Sequence, residues 1–242
     1  LTTQTNTVLA NSPNPSMFGG GVTLTATVAP AAATGAVTFS DGTTVLGTQM
    51  LANGQAVLAT SLLPSGTRAL RARYGGDALR GPSQSTVVPH TVQAAVQDSF
   101  QPAVTYSLGL PPSTLSDLSM AIGDVNLNGR ADLVVSSLRT DQVILLVGTG
   151  TGSFQPILGY PAGAGPCDVA VGDLNGSGLP DLAVTNISVD TVSLVAGVPG
   201  SFLAPVSQAT DDAPCRLALG DFNEDGRVDV VTANVSGSVS VL

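Results

Sequence analysis

Val22, Leu24, Ala26 and Val28 alternate with Thr23, Thr25 and Thr27, and a period of two marks a strand with one buried face. Ala36, Thr38 and Phe39 lead into an Asp41-Gly42 turn, and Val45-Leu46 leaves it. Asn53-Gly54 sits between Met50-Leu51 and Val57-Leu58 and predicts a tight hairpin. Alternation resumes from Arg68 to Tyr74, breaks at Gly75-Gly76-Asp77, and returns from Ser85 to Val92. Short strands separated by turns at this spacing predict a β-sandwich over residues 1–93. The polar, Ala-rich stretch 94–98 reads as a linker, and residues 99–242 as a second region.

In that second region the pattern repeats. Met120-Ala-Ile122, Val169-Ala-Val171 and Leu217-Ala-Leu219 each lead into a polar loop. Leu133–Leu138, Leu182–Ile187 and Val230–Val235 lead out, and Val143–Val147, Val192–Ala196 and Val239–Leu242 follow as third strands. Fourth strands are predicted from the Phe cues Ser153-Phe154-Gln-Pro156 and Ser201-Phe202-Leu-Ala-Pro205; the same cue, Ser99-Phe100-Gln-Pro102, opens the region. The loops begin at Asp124, Asp173 and Asp221, so the periods are 173 − 124 = 49 and 221 − 173 = 48. Such a period, filled only by strands and turns, predicts β-propeller blades.

Each loop carries oxygen side chains at positions 1, 3, 5 and 9. They are Asp124, Asn126, Asn128 and Asp132; Asp173, Asn175, Ser177 and Asp181; and Asp221, Asn223, Asp225 and Asp229. Gly129, Gly178 and Gly226 hold position 6, where a sharp turn favours a residue without Cβ. The carbonyls of Arg130, Leu179 and Arg227 at position 7 are candidate further ligands. A hard cation takes six to eight oxygens at about 2.3–2.6 Å, and alternate residues of a curled loop can supply them. The alternative is an Asp/Asn/Gly turn that satisfies only its own backbone; three copies at one period favour Ca2+. No His or Cys accompanies the carboxylates, which argues against zinc. With Asp225 the third loop carries one more carboxylate than the others and is expected to bind tightest.

Composition narrows the class. Aromatic residues are 4% with no Trp, against 28 Gly and 16 Pro, so the core must be aliphatic and the turns many. Charged residues are 10% and the net charge is −9, which disfavours nucleic acid and anionic membranes as partners. No apolar run is long enough to span a bilayer. The chain begins at Leu1 rather than Met and stops at Leu242 within a predicted strand, as a mature or excised piece would.

Two resemblances rest on these residues. Val22–Val28, Gly35-Ala-Val-Thr-Phe-Ser-Asp-Gly42, Asn53-Gly-Gln-Ala56 and Tyr74-Gly-Gly-Asp-Ala78 resemble bacterial immunoglobulin-like repeat domains of surface proteins, which act as spacers or adhesive modules. The Phe-x-Pro cue with Asp-x-Asn-x-x-Gly-x-x-Asp resembles FG-GAP or VCBS-type repeats of integrin α-like propellers. The second resemblance implies calcium at the loop side chains. Together they lead to an all-β chain, an Ig-like β-sandwich plus a partial, three-blade β-propeller. The function expected is a non-catalytic, calcium-binding adhesion or binding module, extracellular or at a bacterial cell surface, with a surface protein or glycan as partner. Two alternatives stay open: a subunit of a homo-oligomeric or filamentous assembly joined through unpaired blade edges, and an accessory or lectin-like region of a larger secreted enzyme. The segment after Phe100 reads as a fourth strand with no blade before it and in a closed ring could complete the third blade; but three blades are too few to close a ring, so the chain is either part of a longer array or associates with other chains.

Three residues invite other chemistry. Cys167 and Cys215 both lie six places before a leading Asp, at the starts of equivalent strands, and read as small buried thiols or as a disulfide. His90 is the single His; with no second His it supports no catalytic triad and reads as a surface strand residue. The sequons at Asn186 and Asn234 read as chance matches in a Ser/Thr-rich chain.

Overall fold

The computed structural model describes residues 2–94, 102–110, 118–155, 158–223, 225 and 227–242, and every regular element among them is a strand. In the first half, β1 (Asn6–Ser12), β3 (Val22–Ala29) and β6 (Gln55–Thr60) form one sheet. The facing sheet runs β2 (Ser16–Met17), β9 (Val88–Gln93), β7 (Gly66–Tyr74), β4 (Ala36–Asp41) and β5 (Thr44–Met50), with β8 (Ser83–Gln84) beside β7. Pairing is antiparallel except where β2 runs parallel to β9. The alternation in β3 is as expected: Val22, Leu24, Ala26 and Val28 are buried and the threonines face outward. They pack on Val37, Phe39, Leu70, Ala72 and Tyr74 of the opposite sheet, which is the aligned packing of a β-sandwich.

Two details depart from the local expectations, and a third shows what holds a predicted break. Asn53 and Gly54 do adopt the left-handed pair of a tight turn, with φ of 52° and 76°. Yet β5 and β6 belong to different sheets, so the turn is a corner between sheets. Only the Ala52–Gln55 bridge is formed across it, and Gly54 lies so near Ala31 that a Cβ would sit 2.7 Å from its Cα. The Gly75-Gly76-Asp77 break is held by side-chain chemistry: the Asp77 carboxylate accepts from the Thr34 N–H and hydroxyl, the Leu79 N–H and the Arg80 guanidinium. Finally, His90 is not a surface residue; it is fully buried.

His90 owes its burial to its register. It alternates with Thr91 along β9 on the same inward face as Val92. Its Nδ1 lies 3.1 Å from Asn11 Oδ1 and its Nε2 2.9 Å from Ser16 Oγ. An amide oxygen can only accept, so Nδ1 carries the proton and the Ser16 hydroxyl donates to Nε2.

The second half consists of three antiparallel meanders laid face to face. The first is β10 (Leu118–Gly123), β11 (Asp132–Ser137), β12 (Gln142–Leu146) and β13 (Leu158–Pro161). The second is β14 (Pro166–Gly172), β15 (Asp181–Asn186), β16 (Thr191–Val195) and β19 (Val206–Ala209), with a small hairpin of β17 (Gly197–Val198) and β18 (Ser201–Phe202). The third has β20 (Pro214–Gly220), β21 (Asp229–Asn234) and β22 (Val239–Val241). The fourth strands begin after the Phe cues, as expected; Phe154 itself bridges to Gly148, and Phe202 lies in the small hairpin.

Alternation along each strand gives every meander two apolar faces. Val134, Val143 and Leu145 of the first pack against Leu182, Val184 and Val195 of the second. Ala183 and Val192 on the other face of the second meet Val230, Leu217 and Leu219 of the third. The far face of the first, formed by Val135, Ile144 and Leu146, is covered by Tyr106, Leu108 and Leu110. Residues 102–110 contain no strand and cap the first meander, so they do not complete the third. Of the opening cue, Ser99, Phe100 and Gln101 lie outside the described residues, as does most of the 94–98 linker. Tyr106 meets Phe154 edge-on with centroids 5.1 Å apart, as Tyr160 meets Phe202 one repeat later. The cap thus reproduces the contact that one meander makes with the next.

The buried imidazole carries a pH consequence. Desolvation lowers the His90 pKa below its ordinary value, so the native state holds it neutral while the unfolded chain takes up a proton below about pH 6.5. Stability is therefore present above that pH and is lost as pH falls. The melting temperature of the isolated sandwich (residues 1–94) is expected to drop between about pH 7.5 and about pH 5.5, and His90→Gln is expected to flatten that dependence.

Candidate metal-binding loops

The three polar loops join the first and second strands of their meanders and share one pattern of bonds. At position 1, the Asp124 carboxylate accepts from the N–H of Asn128 (2.9 Å) and Gly129 (2.6 Å). Asp173 accepts from Ser177 (3.0 Å) and Gly178 (2.9 Å), and Asp221 from Asp225 (3.0 Å). At position 3, Asn126, Asn175 and Asn223 each accept from the position-5 N–H. At position 5, Asn128, Ser177 and Asp225 accept from the N–H of Arg130, Leu179 and Arg227. Each side chain thereby holds the next turn of its own loop, and Gly129 and Gly178 take the left-handed φ (79° and 81°) that the curl requires. Gly226 lies outside the described residues.

Position 9 does something the sequence did not announce. Asp132 is fully enclosed and Asp181 nearly so. One oxygen of Asp132 accepts from the Val125 N–H at the loop's start, and the other from the Gly148 N–H beyond β12. Asp181 repeats this with Leu174 and Gly197. In the third loop Asp229 accepts from Phe222 N–H. Gly148 and Gly197 must be glycine, since a Cβ would lie 2.0 Å from Ala131 O and 2.1 Å from Pro180 O. The signal was present in the sequence as a Gly sixteen places after the position-9 Asp in two copies (132 + 16 and 181 + 16).

The first two loops gather carboxylates in partly or fully buried places. Asp132, Asp173 and Asp181 are buried. The ion pairs Arg68–Asp41 and Arg80–Asp77 both lie in the sandwich, and among the described residues no basic side chain pairs with Asp124, Asp132, Asp173 or Asp181. Burial pushes the Asp124 pKa up, with the Asp132 charge adding to it. Burial does the same for Asp181, and the Asp173 charge adds there. A buried charge is costly unless hydrogen bonds, a counter-charge or a metal offset it; here backbone N–H groups do part of that work. Among the described residues no three acidic, His or Cys side chains converge. The donors are carboxylate, amide, hydroxyl and carbonyl oxygens, a set that fits a hard cation. Carboxylates have lone pairs beyond those the backbone takes.

The loops face the sandwich. The Ser61 hydroxyl donates to the Gly129 carbonyl (2.7 Å), and a Cβ on Gly178 would lie 2.8 Å from Thr48 O on β5. A cavity of about 260 Å³ lies between Leu46 and Leu58 on one side and Ile122, Leu127 and Val171 on the other. The remaining residues singled out by sequence resolve simply. Cys167 and Cys215 open β14 and β20. The Asn186 amide is buried against Thr191 and Ser193, and Asn234 is bonded to Ser238 and Ser240, so the folded chain offers neither to a glycan.

Residues 9–93 match the family model of the bacterial Ig-like domain (group 3), and residues 124–184 match that of the FG-GAP-like repeat. The matches cover the sandwich and, in the second region, the stretch from the first loop through β11–β14 and the second loop into β15. No curated protein matches the chain. Similar solved structures include Clostridium thermocellum CbhA fibronectin(III)-like modules, at 14% identity over 83% of this chain and 91% of that one, TM-score 0.28. Another is an ICAM-5 D1–D4 ectodomain fragment, at 17% identity over 98% of this chain and 73% of that one, TM-score 0.28. The Ig-like and FG-GAP-like matches suggest an extracellular adhesion or binding module.

The close approach at Gly148 gives a direct test of the position-9 anchor. Gly148→Ala is expected to destabilise the repeat region by at least about 3 kcal/mol, read as a lowered midpoint in urea unfolding. An unchanged midpoint would mean that the chain at 148 does not approach Ala131 as closely as the Asp132 anchor requires.

Proposed function

We propose that this chain is a bacterial extracellular or cell-surface binding module in which Ca2+ occupies the three polar loops, and that it performs no catalysis. One observation carries the reading: in the first two loops the position-1 and position-9 carboxylates (Asp124 with Asp132, Asp173 with Asp181) crowd one another in a desolvated place, and among the described residues no ion pair offsets them. A divalent cation there would offset both charges and close the loop between first and second strands. Binding free energy would then add to folding stability. The meanders are proposed as propeller-type blades, and the partner as a surface protein or glycan; the net charge of −9 disfavours nucleic acid. Ser16, His90 and Asn11 form a hydrogen-bonded line, but Ser16 and His90 are enclosed in the sandwich, where no substrate reaches them.

Because Ser61 bonds to the first loop and Gly178 lies on β5, cation binding would also stiffen the junction between sandwich and repeats. A second reading is self-association. Val239 and Val241 on the outer face of the third meander are 65% and 64% exposed, and the equivalent face of the other two meanders is covered by the next. A dimer or polymer by light scattering supports it, and a monomer at all concentrations removes it.

The test of the principal reading is a thermal melt with calcium and with chelator. Extracellular sites of this type have dissociation constants of about 10⁻⁴–10⁻³ M, so ~10 mM calcium stabilises by about 1.4–2.7 kcal/mol per site. The repeat region's transition is expected to rise accordingly; no shift sinks the proposal. Asp225→Asn removes a carboxylate from the third loop and is expected to weaken calcium binding there in a titration, leaving the other two loops unchanged.

A further inference from the structure

The inner strands of the second and third meanders each contain an irregularity at the same place. In β14 the pairing with β15 skips from Pro166 to Asp168, and in β20 the pairing with β21 skips from Pro214 to Arg216. The skipped residues are Cys167 and Cys215. They lie 48 positions apart, the same as the spacing of the loops they precede (221 − 173 = 48). A β-bulge frees one residue from the ladder and re-aims its side chain. The first meander supplies the control. Its residue at this place is Leu118 (124 − 6 = 118), which pairs directly with Ser137, and its strand has no bulge. Bulges therefore occur in the two strands that carry cysteine and not in the one that carries leucine.

The two bulges aim their thiols at each other. Cys167 Sγ and Cys215 Sγ lie 2.8 Å apart, across the contact between two neighbouring meanders. Cys167 is 8% exposed and Cys215 more open. They stand near the starts of β14 and β20, and the polar loops follow the far ends of those strands. We propose that Cys167 and Cys215 form a disulfide that ties the second meander to the third, made by exchange with a small disulfide oxidant such as glutathione disulfide.

The thiolate of the more exposed Cys215 attacks one sulfur of the oxidant, forming a mixed disulfide and releasing one glutathione thiol. The Cys167 sulfur then displaces the second glutathione thiol and closes the protein disulfide. The protein gives up two protons and two electrons in all, and the oxidant is reduced to two thiols. Burial, with the adjoining Cys215 sulfur adding to it, pushes the Cys167 thiol up to about 12. Cys167 is therefore the resolving sulfur and Cys215 the first to react. The cross-link closes a long loop, which restrains the unfolded chain, and an extracellular setting would preserve it.

The experiment uses the full chain, purified reduced and then equilibrated with glutathione disulfide at neutral pH. It is next unfolded in an alkylating agent and analysed by intact and peptide mass spectrometry. The expected result is an intact mass two hydrogens lighter, no alkylated cysteine, and a peptide pair joined through Cys167 and Cys215. The oxidised chain should run as a monomer on a non-reducing gel and melt above the reduced one. Two alkylated cysteines, stable glutathione adducts on both, or a cross-link between chains would each overturn the proposal. In Cys167→Ser, glutathione is expected to remain on Cys215; if Cys215 takes none, the order of attack is wrong.

Discussion

The repeat region depends on a buried aspartate that receives two backbone N–H groups from opposite directions. Asp132 draws in Val125 from the loop before it and Gly148 from the segment after β12; Asp181 does the same with Leu174 and Gly197. An ionised carboxylate is a strong acceptor, and out of water its bonds to backbone donors strengthen. One side chain therefore sets the curl of the polar loop and the exit of the third strand together. The condition is that the chain after β12 or β16 approach within a distance that only glycine permits.

Stacking then follows from a few repeated contacts. Gly123 lies under Val171 and Gly172 under Leu219, each too close for a Cβ, so one meander seats an aliphatic side chain of the next on bare backbone. Asp141 accepts from Gly165 N–H and Asp190 from Ala213 N–H, tying each β-turn to the strand that opens the following meander. Asp168 reaches both ways, to the Ser119 hydroxyl and the Leu217 N–H. Within the stack each meander packs on the one beside it, the arrangement of a quasi-one-dimensional repeat protein. At the first face Tyr106 and its neighbours stand in for a preceding meander. At the third meander Phe222 folds over Gly220, whose Cβ would lie 3.1 Å from the ring.

The stack meets the sandwich at its polar loops. The first loop touches Ser61 and the second touches β5. A cation in them would act on the local fold and on the angle between the two halves at once. The covalent tie proposed at Cys167 and Cys215 acts elsewhere, between meanders, so the two devices would stabilise different contacts.

The local elements of this protein were legible in its sequence. The Thr/aliphatic alternation of β3, the Asp41-Gly42 hairpin, the three loops and the strands flanking them all follow from side-chain period and turn chemistry, which act over a few residues. The position-1, -3 and -5 side chains curl the loops as their spacing required. What tertiary structure decided are the relations that no local pattern encodes. It sent β5 and β6 into different sheets across an Asn-Gly turn. It buried His90, because strand register chooses the inward face and a polar side chain can join it when Asn11 and Ser16 satisfy both ring nitrogens. It turned residues 102–110 into a cap on the first meander instead of a strand of the third, since an exposed apolar face is covered by whatever chain lies nearest. And it gave Asp132 and Asp181 a second partner sixteen residues away, because a buried carboxylate must find donors wherever the packed chain brings them.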